Sequence, residues 1–184
     1  MDEVLAPALQ LTRTWVERAV IGLNLCPFAK AVQVKGQVRY VQCDADSPDL
    51  LLDQLAAELQ SLAAADPAER DTTLLVAPYC LHDFLAFNEF LPRADRVLKR
   101  LSMQGQFQIA SFHPAYQFAD TEANDITNFT NRSPYPTLHL LREASIDRAV
   151  EAFPQADAIF EANMQTLRAL GHEGWMALGV GAPS

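Results

Sequence analysis

Thr72-Thr73-Leu74-Leu75-Val76-Ala77 is a short, nearly continuous apolar run, with Asp66-Pro67-Ala68-Glu69-Arg70-Asp71 before it and Pro78-Tyr79 after it. A run of this kind suits a strand buried on both faces in the middle of a sheet. On its N-terminal side, Val38 to Cys43 (VRYVQC) is rich in β-branched and aromatic residues and reads as a second strand. Between the two, Ser47-Pro48-Asp49 supplies a capping side chain and a proline at the first helical position. Leu51, Leu52, Leu55, Leu59 and Leu62 then carry that helix to about Ala65. On the C-terminal side a helix is expected from Leu81 to Leu101, with Phe84, Phe87, Phe90 or Leu91, and Leu98 on one side. Pro92 lies inside it and is expected to kink or divide it. Gly105 leads into Phe107 to Phe112 (FQIASF), a third strand, and Thr137 to Leu141 (TLHLL) is read as a fourth.

The flanks are helical. Leu9, Thr12, Val16, Ala19, Val20 and Leu23 recur at three- and four-residue spacing, with Trp15 beside them and Gly22 and Asn24 at the expected end. Cys26-Pro27 then reads as the cap and first residue of a short helix through Val32. Near the C-terminus a helix is expected from Ser145 to Phe153. Another should be opened by Pro154 and ended by Gly171, leaving GHEGWMALGVGAPS irregular.

Strands alternating with helices imply right-handed crossovers. The expected fold is therefore α/β: a mainly parallel sheet of about four strands, helices on both faces, and an N-terminal helix added. The last strand, which follows a loop rather than a helix, is free to run antiparallel at an edge. Residues 1–184 read as a single globular domain.

Composition narrows the function classes. The net charge is −9, and residues 44–69 contain Asp44, Asp46, Asp49, Asp53, Glu58, Asp66 and Glu69 but no Lys or Arg. Such a surface repels phosphate backbones, so no nucleic-acid partner is expected, and the acids read as a solvated helix face. No apolar run approaches the roughly 18 residues of a membrane span, so no membrane partner is expected. The start, MDEVLAPALQ, lacks the basic and apolar regions of a signal peptide. Three widely spaced cysteines form neither a disulfide framework nor a paired ligand set, which points to a reduced, cytoplasmic setting. Nothing names a cofactor, and oligomeric state stays open.

Chemistry-bearing residues gather in His113 to Pro136, HPAYQFADTEANDITNFTNRSPYP. Connections in compact domains run to roughly 4–6 residues, and much longer ones are functional or disordered. Its aromatics argue against disorder. In parallel sheets ligands bind beyond the carboxyl ends of strands, where Cys43-Asp44-Ala45-Asp46, Pro78 to Asp83, and His113 to Tyr116 would share a rim. His113 is the candidate acid or base, since its free pKa of ~6.5 lies near working pH. The alternative is a ring that hydrogen-bonds the backbone and fixes the turn before Pro114. Arg132, flanked by Asn131 and Ser133, is a candidate anion anchor or a structural partner of Asp120, Asp125 or Glu143. Asn128 and Asn131 are candidate donors to substrate or turn formers, and Tyr116 is a binding or a packing residue.

Cys26 carries a second reading. A thiol at a helix start is activated, yet beside Leu23, Leu25 and Phe28 a small buried cysteine is the default. Cys26-Pro27-Phe28-Ala29 resembles a monothiol glutaredoxin site, although a helix precedes it here where that fold has a strand. His82, His113 and His139 have no metal-ligand spacing, so no metal is assigned. His139, alternating with Leu138 and Leu140, is expected on the opposite sheet face from those leucines.

The stretches GLNLCPFAK (22–30), FHPAYQF (112–118) and TNRSPYPTLHLLREAS (130–145) together resemble the bacterial domain of unknown function family 1415, over Thr12 to about Trp175. That resemblance implies a small cytosolic bacterial protein and transfers no catalytic residue. The functional expectation is a small-molecule enzyme on the 113–136 loop. In it His113 moves a proton, Arg132 anchors an anion, Asn128, Asn131, Tyr116 and Ser133 bind substrate, and Cys26 is available as a nucleophile. The alternatives are a thiol-redox protein using Cys26 and a non-catalytic module that binds an anionic metabolite or peptide.

Overall fold

The computed structural model describes residues 6–153 and 155–183. Helix α1 spans Pro7–Trp15 and continues as a π-helical stretch, Val16–Ile21. Gly22 closes that stretch, where a Cβ would come within 2.2 Å of the Arg18 carbonyl oxygen, so no larger residue fits the turn. Asn24 follows in the left-handed region at φ 54. The short helix α2 is Ala29–Val34, later than the expected Pro27 start, and Cys26 lies in the bend before it.

Strands β1 (Val38–Gln42) and β2 (Thr72–Val76) flank α3 (Pro48–Ala64), whose first turn is capped by the Ser47 side chain. Helix α4, Phe84–Arg100, starts after a left-handed Leu81 (φ 58), with the Asp83 carboxylate accepting from the Ala86 N–H. It runs through Pro92 as one helix. Strand β3 is Phe107–Phe112 and β4 is Thr137–Arg142, followed by α5 (Glu143–Ala152) and α6 (Ala156–Ala177). Pro154, expected to open the last helix, lies outside the described residues, as do Met1 to Leu5. Gly171 breaks the helical backbone (φ 67, ψ 175), but the chain resumes a helix to Ala177 rather than staying irregular.

The sheet order is β1-β2-β4-β3, with β1 parallel to β2 and β4 antiparallel to both β2 and β3. The expected mainly parallel sheet is thus corrected to a mixed one, and its last strand is central rather than an edge. The cause is the connection: no crossover helix links β3 to β4, so the 113–136 loop doubles back and lets β4 insert beside β3. Both faces of β2 are covered, and all five of its residues are buried.

Two cores share this sheet. On one face Val41, Leu75, Leu138, Leu140, Phe107 and Ile109 meet the leucines of α3 and Phe87, Phe90, Val97 and Leu98 of α4. Leu51, Leu55, Leu59 and Leu62 are each 0% exposed, and full burial of such a side chain stabilises by about 1.5–3 kcal/mol. On the other face Leu74, Val38, Tyr40 and Phe112 meet Trp15, Val16 and Ala19 of the N-terminal helix, with Leu167 and Trp175 of α6. The acidic stretch is not wholly solvated. Glu58 is buried and paired with Arg39 at 3.2 Å.

Candidate functional site

Three strands point the same way, so the ends of β1, β2 and β3 do meet at one edge with the loop beside them. There the loop's polar groups face one another. His113 is fully buried; its Nε2–H donates to the Leu81 carbonyl at 2.9 Å, and its Nδ1 accepts from the Ala115 N–H at 3.0 Å. Phe84 and Phe87 pack on the ring, and this burial pushes its pKa below the usual histidine value. Neither ring nitrogen is left for a substrate.

Asn128, also fully buried, accepts from the Phe118 N–H and the Thr121 hydroxyl through Oδ1 and donates from Nδ2 to the Glu122 carbonyl. Arg132 donates to the carbonyls of Tyr116 (3.0 Å) and Ala123 (2.5 Å), and its guanidinium lies 4.3 Å above the Phe129 ring. The Ser133 hydroxyl donates to the Tyr135 carbonyl, and the Asn131 carbonyl accepts the His113 N–H. The Tyr116 ring packs between Phe84 and Phe118. Within the loop a 3-10 turn, Ile126–Asn131, is capped by the Asp125 carboxylate. These residues are together, but the polar side-chain atoms of His113, Asn128, Arg132 and Ser133 hold backbone groups, as a segment without ladder hydrogen bonds requires. Cys26 is not among them: it stands by the opposite face of the sheet from His113.

The concave feature near Cys26 is a hollow of about 360 Å³ under the N-terminal segment. Its floor is sheet: Val38, Thr72, Leu74, Ala110, Phe112, His139 and Leu141. These residues share a face because Leu74, His139 and Ala110 are cross-strand partners, as are Thr72 and Leu141. Trp15, Val16 and Val20 form one wall, the Cys26 to Val32 segment a second, and Ile146, Ala149 and Val150 of α5 a third. The methyl of Ala110 beside the imidazole of His139 leaves the central space open.

His139 lies on the face opposite Leu138 and Leu140, as its alternation in β4 implies, and it is a titratable group in the middle of an apolar floor. Burial pushes its pKa down to about 4, partly offset by the charge of Asp71. Its Nε2 is 2.7 Å from the Thr72 hydroxyl, which is itself 2.6 Å from the Leu140 carbonyl. At the edge, Asp71 accepts from Ser145 at 2.6 Å, and Arg148 lies 4.0 Å away. Cys26 is half-buried, whereas Cys43 and Cys80 are buried in the other core, where desolvation raises both thiol pKa values.

Sequence reasoning placed the face of His139 but gave it no role, and Thr72 was absorbed into a strand. The available signal was one histidine between leucines in a strand buried on both sides. Among the described residues no group of three or more His, Cys, Asp or Glu converges as a metal site would, and no helix is long and apolar enough to cross a membrane.

A sequence model for the family described as "Protein of unknown function (DUF1415)" matches residues 8–177, and the chain belongs to that family. No curated protein and no solved structure matches it.

Proposed function

We propose that the chain binds a small, largely apolar molecule in the hollow between the sheet and the N-terminal segment, with His139 as the group that meets it. The observation that carries this reading is an apolar space of about 360 Å³ with one neutral imidazole in its floor. Small-molecule sites are of this kind: roughly 300–1,000 Å³, mostly apolar, with a few polar groups that fix orientation.

The same numbers favour binding over proton transfer at His139. A base works best with a pKa near the operating pH. A ring titrating at about 4 would cost about 4 kcal/mol to protonate at pH 7, at 1.36 kcal/mol per unit. The anionic ligand expected for a binding module fits poorly, since no Lys or Arg lines the hollow and Asp71 does. The loop reading has less support, because His113, Arg132 and Asn128 are engaged by backbone.

Filling the space tests the proposal. Ala110→Leu should abolish the rise in melting temperature produced by naphthalene in the unmodified protein. An undiminished rise in that variant refutes the site. A second reading, thiol chemistry at Cys26, is favoured by one observation: of the three cysteines, it is the one lining the hollow.

A further inference from the structure

We infer that the hollow selects an uncharged ligand carrying a hydrogen-bond donor, a hydroxyl or N–H group, on an aromatic or aliphatic body. This rests on the preceding reading and adds the ligand's chemical class. The ligand class follows from where the protons lie. The Leu140 carbonyl oxygen can only accept, so at 2.6 Å it takes the single proton of the Thr72 hydroxyl. Thr72 Oγ1 therefore offers a lone pair to His139 Nε2 at 2.7 Å, and Nε2 must carry a hydrogen. A neutral imidazole has one N–H, so Nδ1 is bare. Among the described residues His139 hydrogen-bonds through Nε2 alone, and Nδ1 is not one of the side-chain atoms sealed from solvent without a partner.

Charging the ring would turn Nδ1 into a donor, but burial opposes this and holds the pKa at about 4. At neutral pH the floor of the hollow thus presents an acceptor and no donor from His139. A hydrocarbon would cover that acceptor and leave it unpaired, which is unfavourable. A carboxylate would meet a lone pair, with the Asp71 charge nearby and no Lys or Arg in the lining. A hydroxyl or N–H group satisfies it. The size follows from volume: a cavity of about 150 Å³ holds benzene, so 360 Å³ suits two fused rings or a chain of similar bulk. Thr72 is a positioning residue here, setting which nitrogen carries the hydrogen.

The test compares three probes of one shape, 1-naphthol, naphthalene and 1-naphthoate, by titration calorimetry at neutral pH. Naphthol should bind about five- to tenfold more tightly than naphthalene, the worth of one net hydrogen bond, and naphthoate most weakly. His139→Leu should lose the preference for naphthol by binding naphthalene more tightly, since no acceptor is then covered and left unpaired. His139→Gln, with a donor for Thr72 and an acceptor for the ligand, should keep it in part. Should His139→Leu not fold, Thr72→Val serves instead: it frees the ring to change tautomer and should shrink the preference, which Thr72→Ser should restore. Equal affinities for naphthol and naphthalene, or tightest binding of naphthoate, overturn the inference and leave the hollow as a site. Binding of none of the three removes the site reading itself.

Discussion

Protonating His139 should destabilise the fold by an amount that can be worked out. The unfolded chain takes up the proton near pH 6.5, whereas the folded ring does so only near 4. Between those values the unfolded state binds more protons, so stability rises with pH across that window. It is complete above about 6.5, falls as the pH drops from 6.5 to 4, and is flat in this respect below 4. At pH 5 the loss from this one group is about 2 kcal/mol; below 4 it reaches about 3 kcal/mol, from 1.36 kcal/mol per unit over the gap. In a chain of this length 2 kcal/mol corresponds to about 4–8 °C in melting temperature.

Burial lowers the pKa of His113 as well, which acts with the same sign, so the assay is a difference. Urea unfolding of the unmodified protein and of His139→Gln is followed at pH 7.5 and pH 5. The glutamine retains a donor for Thr72 but takes up no proton, so the unmodified protein should lose about 2 kcal/mol more than the variant. Equal losses in the two would refute the claim that His139 is held neutral by burial.

Three further outcomes follow from the same geometry. His113→Ala should cost about 2–4 kcal/mol of unfolding free energy, since it strands the Leu81 carbonyl and the Ala115 N–H and empties a fully buried space. Naphthalene binding to its folded fraction should be unchanged; urea unfolding reads the first outcome and titration calorimetry the second. Alkylation by iodoacetamide should reach Cys26 first, with Cys43 and Cys80 protected until denaturation, and saturating 1-naphthol should slow the Cys26 reaction; peptide mass spectrometry reads this. Arg142 donates to the carbonyls of Leu62 and Ala65 at the C-terminal end of α3 and of Arg70 just before β2. Arg142→Met should therefore lower stability by about 2–3 kcal/mol in urea titration, because those carbonyls lose a charged donor.

The local elements were legible because each rests on short-range chemistry. Ser47-Pro48 sets the start of α3, and the β-branched run of β1 and the apolar run of β2 mark strands. The position of β4 was not legible. A strand after a loop can return on either side of its predecessor, and what decides is the tertiary pairing of Leu138 and His139 with β2 and β3. The π-helical stretch was also hidden, since its apolar spacing is that of an ordinary helix.

The loop was correctly read as packed, but its polar residues admitted two readings that residue types cannot separate. Asn128, Asp125 and His113 are the groups that cap turns and also the groups that bind substrates. The hollow could not be seen at all. Trp15, Cys26, Thr72, Ala110, His139 and Ala149 come from separate segments, and only the sheet order brings them to one space.

The central claim is an uncharged imidazole at residue 139 with its hydrogen on Nε2 and a bare Nδ1 facing the hollow's occupant. Nitrogen-15 correlation spectra of the imidazoles at pH 7, assigned with His139→Gln, test it directly. A protonated Nε2 and an unprotonated Nδ1 whose signal shifts when 1-naphthol is added are expected. A hydrogen on Nδ1, or a doubly protonated ring at that pH, would contradict it.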